Sequence, residues 1–434
     1  MNGLKEKLEK YEAIQVQFSD IHGVLKSVTV PSDSIKDNPE EGIWFDGSSI
    51  EGFTRIYESD LYLRPDVNTL VELPWLNTIA CLWGDVFTPQ NKPFLGDPRD
   101  VLRRACKRAE DMGFIFKVGA ELEFFLLKKK DEHYTTIDHA GYFDSSPFDN
   151  GFEVKRAILV GAKKMSISCE MAHHEVARGQ QEIDFRYSEA MKTADRIMLM
   201  KLLIQTVARQ HGLVASFMPK PFFGLNGSGM HCHQSLWTHN DKNAFYDSND
   251  DMLLSNVAKQ FIAGQLRYSK EIVGVLAPTV NSYKRLVPGY EAPVYISWAQ
   301  LNRSALIRIP RIPKDRSSSV RAELRCPDPM CNPYLALAVM LEAGLEGIRQ
   351  NIEVPSPRQE NLYEMESEDL ISLKVDHLPT SLWEATQFIK ESELVKCVFE
   401  DPLYDSYIRA KTKEWDEYRL QVTEWEKNKY LMRY

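Results

Sequence analysis

The segment Gly119–Phe125 constrains the fold more than any other, because it sets two acids, Glu121 and Glu123, in an apolar and aromatic run. Side chains alternate between the faces of a β-strand, so both carboxylates lie on one face while Leu122 and Phe124 lie on the other. Taken alone, the segment favours an ordinary solvated sheet face. Carboxylates among hydrophobic neighbours are costly, however, unless a cation pairs with them. The segment therefore predicts a sheet with one core face and one polar, functional face.

Composition excludes several classes of protein. The 434 residues suggest two or three domains at about 150 residues each. A net charge of −9 argues against a nonspecific nucleic-acid binder, which needs a basic surface. Seven cysteines without a C-x-x-C pair argue against a disulfide framework and a zinc knuckle. Since the sequence contains no signal peptide and no membrane-spanning run, we expect a cytoplasmic protein with neither a nucleic-acid nor a membrane partner.

Turn residues and apolar periodicity divide the chain in two. Short β-type runs fill the region up to about residue 85, and the proline-rich stretch Pro89–Pro98 follows. Beyond it, β-runs alternate with helices, among them one capped by Asp100, one over Asp251–Leu276 and one over Pro333–Arg349. We expect an α+β fold with an N-terminal domain of residues 1–100 and a larger domain of residues 101–434.

The segment His173–Glu182 supplies two more acids, Glu175 and Glu182, on either side of Gly179. If the chain turns a hairpin at this glycine, the two acids face each other across its strands. An ordinary polar hairpin is the alternative.

The segment Asn226–Ser235 combines a glycine-rich turn with His231 and His233, which share one face of a strand. An H-x-H pair after such a turn favours a ligand or substrate contact, although a lone histidine is more often structural. The glycines do not form a dinucleotide fingerprint, because a strand and not a helix follows them.

Two later segments carry charged residues that could contact a substrate, one around Glu291 and one over Arg321–Arg325. The prolines and glycine around Glu291 predict a loop, interpreted as a mobile flap or else a plain surface turn. Arg321, Glu323 and Arg325 share a strand face, where arginines beside an acid suit phosphate or carboxylate oxygens. A salt-bridge ladder explains the second pattern equally well.

Five acids gathered in one site would repel each other strongly, namely Glu121, Glu123, Glu175, Glu182 and Glu323. Each like-charge pair costs about 2 kcal/mol at roughly 7 Å and an effective dielectric near 20. Either some of the acids keep their protons or cations enter. Carboxylate-dominated ligation favours Mg²⁺ or Mn²⁺ over zinc.

Six segments, in this order, resemble the motifs of type I glutamine synthetases, in particular the compact bacterial and archaeal subgroup. They are D-G-S-S-I at 46–50, A-E-L-E at 120–123, H-H-E-V-A-x-G-Q at 173–180, N-G-S-G-M-H-C-H at 226–233, K-R-L-V-P-G-Y-E-A-P at 284–293 and N-P-Y-L-A at 332–336. The match runs nearly end to end. It implies an N-terminal β-grasp domain and a catalytic domain with an antiparallel sheet and flanking helices.

The resemblance implies ATP-dependent ligation of ammonia to the γ-carboxylate of L-glutamate. ATP phosphorylates that carboxylate, and ammonia displaces phosphate from the γ-glutamyl phosphate to give L-glutamine, ADP and phosphate. Two or three Mg²⁺ or Mn²⁺ ions per subunit act as Lewis acids and neutralise charge.

The resemblance also assigns residue roles. The cation that binds glutamate falls to Glu123, Glu175 and Glu182, and the cation that orients the ATP phosphates falls to Glu121, His231 and Glu323. The other roles are glutamate binding by Asn226, Gly227, His233, Arg285 and Arg325, nucleotide and phosphate binding by Glu170, Tyr187, Ser235, Arg303 and Arg321, and catalysis by Asp46, Tyr142, Glu291, Arg303 and Arg325.

By the same resemblance the active site is shared between subunits. Asp46 deprotonates ammonium in the neighbouring subunit's site, assisted there by Glu175 and Tyr142, and Glu291 closes the site against water. The expected assembly is a homododecamer of two hexameric rings, with the segment Trp425–Tyr434 packed across the rings.

Regulation is less constrained by the sequence. Arg55 matches a position linked to glutamine feedback in the compact subgroup, and nitrogen-regulatory proteins are candidate partners. Tyr363 echoes a tyrosine that longer members have adenylylated, but the residues after it differ, so we expect no modification. Ser318 stands where longer members carry a lysine near the nucleotide.

Two other functions stay open at this point. A ligase for an amine other than ammonia is one, although the presence of Asp46 and Tyr142 argues for ammonia. A catalytically silent homologue is the other, although all six metal-ligand positions are retained.

Overall fold

The computed structural model describes residues 6–37, 41–53, 59–302, 304–360, 362–365, 373 and 375–433. The N-terminal part forms a five-stranded sheet in the order β2-β1-β5-β4-β3, in which β1 and β5 are parallel. Its elements are β1 Ala13–Ser19, β2 Leu25–Pro31, α1 Ser32–Asp37, β3 Ile43–Asp46, β4 Asp60–Glu72 and β5 Ile79–Phe87. Ile14, Val16 and Leu82 belong to an apolar core of its own.

The second sheet has ten strands in the order β15-β12-β13-β14-β11-β6-β9-β8, and both β7 and β10 also pair with β6. The pairs are antiparallel except β12 with β13, so the predicted antiparallel sheet contains one parallel step. The strands are β6 Phe114–Lys130, β7 His133–Thr136, β8 Cys169–His174, β9 Gln180–Glu189, β10 Val214–Ser216, β11 Cys232–Thr238, β12 Tyr295–Ala299, β13 Ala305–Arg308, β14 Ala322–Leu324 and β15 Asp376–His377.

Helices cover the apolar face of this sheet. The helices of this part of the chain are α2 Pro98–Asp111, α3 Phe152–Lys164, α4 Ala190–Gln210, α5 Asn256–Arg267, α6 Ser269–Leu276, α7 Ser282–Arg285, α8 Pro333–Arg349, α9 Leu382–Glu391, α10 Glu393–Phe399, α11 Leu403–Arg419 and α12 Glu424–Tyr430, and α2 to α5 make most of the contacts with its strands. Almost all of α8 is buried, since it packs against α5 and α2. A Cβ on Gly264 of α5 would lie 2.1 Å from the carbonyl oxygen of Ala343. Glycine therefore permits the close crossing of these two helices.

Several predicted boundaries are confirmed and others are wrong. Helix α8 has the predicted bounds, and the Asn332 side chain caps it. Helix α2 begins earlier than predicted, because Asp97 and not Asp100 caps it and Pro98 occupies the first turn. The predicted helix over Asp251–Leu276 is two helices that meet at Tyr268.

The buried side chain of Arg99 links the N-terminal domain to the catalytic domain. Arg99 at the start of α2 forms ion pairs with Asp85 on β5, with Asp66 on β4 at 3.1 Å and with Asp195 on α4 at 3.2 Å. The Tyr334 hydroxyl donates to Asp195 at 2.7 Å. Because the partners come from both domains, this network fixes how the N-terminal sheet sits on the catalytic domain.

We expect Arg99→Ala to lower the free energy of unfolding by about 3–5 kcal/mol, because the change leaves buried carboxylates without their cation. Urea unfolding followed by circular dichroism measures the loss. Arg156→Ala is the control: the Arg156–Glu153 pair is about 60% exposed and contributes about 0.2–1 kcal/mol. An equal loss in both variants would contradict the role given to the buried network.

Candidate active site

The polar face of the large sheet carries its acids in two adjacent rows. On β6, Glu121 lies directly opposite Asp184 of β9, and Glu123 lies directly opposite Glu182. Leu122 is fully buried on the other face. The predicted strand and its two faces are confirmed.

One group of ligand-type side chains centres on Glu121. Its Oε2 lies 2.7 Å from His231 Nδ1, and its Oε1 lies 2.6 Å from His233 Nε2. Glu121, His231 and Glu323 each offer an atom within 4.8 Å of the others. Burial alone would raise the pKa of Glu121, but His233 and His231 outweigh it and hold that pKa well below its usual range. The two histidines share a face, as the H-x-H spacing predicted.

A second group forms at the β8–β9 hairpin, whose turn is at Gly179 with φ +68°. A Cβ there would approach the Leu126 carbonyl oxygen to 3.0 Å, so glycine suits both the turn and the space. Glu182 lies opposite His173 in the register, and the Glu175 backbone pairs with Gln180 instead. The predicted hairpin is confirmed, but the direct Glu175–Glu182 pairing is wrong by two residues. His173, Glu175 and Glu182 nevertheless each offer an atom within 4.8 Å of the others.

Glu123 lies beside this second group in a shell of donors. Its Oε2 accepts hydrogen bonds from Gln180 Nε2 at 2.8 Å and from the Gly229 backbone at 2.9 Å. Burial and the nearby Glu175 raise the pKa of Glu123 to about 8. Burial and Glu123 raise the pKa of Glu182 to about 9. With pKa values this high, both carboxyls keep their protons at neutral pH whenever no cation is bound.

The donor chemistry fits divalent cations. Glu175 Oε2 and Asp184 Oδ1 are buried and have no hydrogen-bond partner among the described residues. Burial and the neighbouring Glu182 raise the pKa of Asp184 to about 9. Buried carboxylate oxygens with open lone pairs suit hard cations such as Mg²⁺ and Mn²⁺.

Basic residues frame the acids on the β14 side. Arg308 Nη1 donates to Glu323 Oε2 at 2.7 Å, and Arg325 Nε lies 3.1 Å from Glu323 Oε1. Arg321 Nε donates to His233 Nδ1 at 3.1 Å, which leaves His233 Nε2 as the donor to Glu121. Arg321 and Arg325, which flank β14, are therefore held beside the acids, as the spacing predicted.

Two neighbouring clefts contain most of the predicted site residues. A cavity of about 180 Å³ is lined by Glu121, Glu123, Tyr142, Glu175, Glu182, Asn226, Gly227, His231, Arg285, Glu291, Glu323 and Arg325. A cavity of about 440 Å³ is lined by Glu170, Tyr187, His233, Ser235, Ser318 and Arg321. Glu121, Met171 and Asp184 line both, so the two clefts meet at the first acid of the A-E-L-E motif.

The flap residue lies across the first cleft. Glu291 has φ +57°, and its Oε2 accepts a hydrogen bond from Asn226 Nδ2 at 3.4 Å. Arg285 is fully buried and donates to the carbonyl oxygens of Arg325 and Cys326 at 3.0 and 2.9 Å. Its guanidinium therefore anchors the chain after β14, in addition to lining the cleft.

Among the described residues, one predicted site residue, Asp46, is not brought into the clefts of its own chain. Asp46 ends β3 on the surface, where its Oδ1 accepts hydrogen bonds from the Ser48 backbone at 2.9 Å and hydroxyl at 2.7 Å. Arg303 and Arg55 lie outside the described residues.

His173, Asp184 and Arg308 line the first cleft, but the sequence did not predict them as site residues. Asp184 follows Glu182 at i+2, the same spacing that identified Glu121 and Glu123, and could have been found by it. Arg308 ends a four-residue strand whose place in the sheet no local pattern reveals.

Two family models match nearly the whole chain. "Glutamine synthetase, beta-Grasp domain" matches residues 10–89, and "Glutamine synthetase, catalytic domain" matches residues 95–430. The chain belongs to the glutamine synthetase family. The predicted fold class is confirmed with it, and so at family level is the enzyme class, a ligase that forms glutamine with ATP.

Relatives support the assignment over full length. The glutamine synthetase of Clostridium saccharobutylicum is 47% identical over 440 residues, covering 100% of this chain and 98% of the relative. That of Thermotoga maritima is 47% identical over 432 residues, covering 98% and 97%. A solved structure described as a GmaS/ADP complex superposes with a TM-score of 0.91 at 30% identity, covering 99% of this chain and 100% of that one.

Divalent cations and ATP accord with this family, and the two acid–histidine groups provide residues that fit such cations. Within the part of the chain that the structure describes, none of the helices is both long and apolar enough to cross a membrane.

We expect the thermal stability of the chelator-treated protein to fall as pH rises from about 5 to about 9. Unfolded Glu and Asp side chains lose their protons above about pH 4, whereas burial and neighbouring carboxyls hold the folded pKa values of Glu123, Glu182 and Asp184 at about 8 to 9. The folded state therefore binds more protons in this window, and its stability decreases with rising pH.

Scanning calorimetry across this range, with EDTA and with excess Mg²⁺, measures the effect. Glu182→Gln removes one such group and is expected to make the decline shallower, and Mg²⁺ is expected to raise the midpoint most at high pH. A midpoint that is independent of pH in EDTA would contradict this account of the acids.

Proposed function

We propose that the chain is an ammonia-dependent glutamine synthetase in which ATP and glutamate meet where the two clefts join. The main support for this proposal is that Glu121 and Asp184 line both clefts. Glu170, Tyr187, Ser235 and Arg321, which are expected to contact nucleotide, line the larger cleft. Asn226, Gly227, Arg285 and Arg325, which are expected to contact glutamate, line the smaller one, whereas His233, expected in the same role, lines the larger cleft. A phosphoryl group transferred between the two substrates then crosses a short, acid-lined junction.

Cations, when bound, supply Lewis-acid polarisation and neutralise the phosphate charge. Glu123, Glu175 and Glu182, with His173 added by the geometry, hold one ion on the glutamate side. A second group holds another ion on the ATP side, namely Glu121, His231 and Glu323. Support comes from the open oxygens of Glu175 and Asp184 and from the carboxylate-rich donor set, which favours Mg²⁺ or Mn²⁺.

Arginines orient the anionic groups. Arg321 faces the nucleotide cleft, and Arg325 and Arg308 face the glutamate cleft beside Glu323. The planar guanidinium suits phosphate and carboxylate oxygens, which it binds in pairs. Arg303, which lies outside the described residues, is proposed as a further phosphate contact, and Glu170, Tyr187 and Ser235 as contacts to the nucleotide.

Closure of the flap protects the intermediate. The Glu291–Asn226 hydrogen bond spans the glutamate cleft, and Lys220 Nζ lies 3.6 Å from the centre of the Tyr290 ring. We propose that Glu291 excludes water from the acyl phosphate during turnover. Asn226, Gly227, His233 and Arg285 are proposed to hold glutamate beneath it.

Ammonium is proposed to enter between subunits. Tyr142 lines the cleft with Glu175, whereas Asp46 lies outside both clefts of its own chain. A neighbouring subunit's Asp46 is therefore needed as the base, in a homododecamer of two hexameric rings. The domain boundary near residue 100 separates the donated part from the receiving part.

We also propose that the protein is cytoplasmic and that Tyr363 is not modified. All seven cysteines are free, in keeping with the cytoplasm. Tyr363 is half-buried and donates its hydroxyl to the Ala292 carbonyl oxygen at 2.6 Å, which supports its remaining unmodified. Nitrogen-regulatory proteins stay candidate partners.

Phosphate release from ATP and glutamate, compared for ammonium and a panel of small amines, tests the substrate. We expect the highest kcat/KM with ammonium, because glutamine synthetases cover nearly the whole chain at 47% identity. A higher kcat/KM with any amine would establish the alternative ligase, and no turnover with any of them would establish a silent homologue.

Asp46→Ala is expected to lower ammonium-dependent synthesis by about 10²–10⁴-fold, the usual contribution of a general base, and to leave ATP affinity unchanged. Glu323→Ala is expected to inactivate the protein through its own cleft. Reassembly of a 1:1 mixture of the two variants restores activity at about a quarter of the interfaces if sites are shared around a ring. Activity of the mixture no higher than that of the separate variants would contradict a shared site.

Arg55→Ala is expected to relieve inhibition by glutamine. Inhibition curves for the variant and the unaltered protein, taken at saturating ammonium, measure this. Identical curves would remove Arg55 from feedback control.

A further inference from the structure

A buried group of polar side chains behind the β8–β9 hairpin has no part in the proposed chemistry. It contains His174, Asp138, Asp149 and Lys155, whose side chains are 0%, 2%, 4% and 6% exposed. Burial of four ionisable groups is costly unless their hydrogen bonds are satisfied. Their contacts show what they hold in place.

His174 is bonded at both ring nitrogens. Nδ1 lies 2.7 Å from the carbonyl oxygen of Glu175, and Nε2 lies 3.1 Å from Asp138 Oδ1. Because a carbonyl oxygen and a carboxylate oxygen only accept, each ring nitrogen is a donor. The imidazole is thus a bridge between Asp138 and the backbone of Glu175.

Asp138 holds the hairpin at its turn. Its Oδ1 also accepts from the Gly179 backbone at 2.8 Å, and its Oδ2 accepts from the Asn150 backbone at 3.2 Å. The pair of Asp138 and His174 therefore fixes both Glu175 and Gly179, which lie at opposite ends of the same turn.

The backbone of His174 anchors the loop that carries Tyr142. The Phe143 backbone donates to the His174 carbonyl oxygen at 3.0 Å, although Phe143 has φ +62°, which is unfavourable for a bulky residue. Its ring stacks on Tyr142 at 4.2 Å and meets His173 edge-on at 4.6 Å. Strain of this kind persists only where the surroundings fix the backbone.

A metal site is the alternative for this group, since Asp138, Asp149 and His174 offer atoms within 4.8 Å of one another. However, Lys155 Nζ lies 2.5 Å from Asp149 Oδ2 and already supplies a cation. Backbone N–H groups occupy both Asp138 oxygens. The contacts are those of a structural clamp and not of a metal site.

We propose that His174 and Asp138 are positioning residues, which hold Glu175 and the Tyr142–Phe143 loop in register and thereby couple the glutamate-side cation group to the ammonium side. Neither residue lines a cleft, so both act through Glu175 and Tyr142. The inference rests on the proposed function for its ammonium side. The effect on cation binding can be measured without any catalytic turnover.

Three full-length variants test the proposal. His174→Gln keeps a donor near Asp138 and loses the bond to Glu175, and Asp138→Asn replaces one acceptor oxygen by an amide. Tyr404→Phe is the matched control, because its hydroxyl donates to the Ile389 carbonyl oxygen at 3.1 Å in a buried place among the C-terminal helices. The control loses a buried hydrogen bond and leaves the hairpin intact.

The first readout is Mn²⁺ binding to chelator-treated protein, followed by the electron paramagnetic resonance of the free ion. We expect the Kd for Mn²⁺ at the glutamate-side group to rise about tenfold in both variants, the lower end of the usual effect of supporting residues. Hydrogen–deuterium exchange of residues 172–180 in the metal-free protein is expected to accelerate. The KM for ammonium is expected to rise, with the Kd for ATP unchanged.

Tyr404→Phe is expected to lower the melting temperature without changing the Kd for Mn²⁺. Wild-type Mn²⁺ affinity and wild-type exchange in both clamp variants would overturn the proposal, whatever their melting temperatures. Should His174→Gln fail to assemble, Asp138→Asn decides alone. If the unaltered protein makes no glutamine, the proposed function fails, and the Mn²⁺ and exchange comparison still decides the clamp.

Discussion

Repulsion between carboxyl groups on one face of the large sheet is the constraint on which the rest of the structure depends. Glu121 faces Asp184 and Glu123 faces Glu182 on neighbouring strands. Like charges directly opposite each other destabilise a sheet, so this face opposes folding. Leu122, Phe124 and Ile183 are fully buried on the other face and offset that cost. A stable apolar layer thus carries a layer that prefers to bind cations.

The surrounding groups differ in how they relieve this repulsion. Near Glu121, two histidines contact the carboxylate and lower its pKa. Near Glu182, burial and another acid raise the pKa instead. One half of the site is therefore charged and preorganised without a metal, whereas the other half must exchange protons for cations. Cation binding on the glutamate side is accordingly coupled to proton release.

Local spacing predicted what lies within one strand or one helix. The alternation at Gly119–Phe125 and the bounds of α8 follow from side-chain periodicity and a cap at Asn332. The predicted start of a helix at Asp251 is wrong, because the helix begins after its cap at Ser255, which follows a β-bridge between Tyr246 and Leu254. Residues joined only by tertiary packing, such as Arg308, had no local signal.

Cross-strand register explains the remaining difference at the site. The sequence paired Glu175 with Glu182, whereas the register sets His173 opposite Glu182, two residues earlier on the same face. That register is set by the turn at Gly179 and by the contacts of Asp138, a residue far from the hairpin in sequence. The family resemblance supplied residue roles that spacing alone did not.

The exposed position of Asp46 has a consequence for genetics. If a subunit lends this carboxyl outwards and receives one in return, a defective N-terminal domain disables an intact neighbour's site and not its own. Each such subunit then inactivates one site, which belongs to its neighbour, so the inactive sites equal the defective copies in number but lie on other subunits. A mutation of this kind is therefore complemented by a second allele whose defect lies in the catalytic cleft, which is the pattern of intragenic complementation.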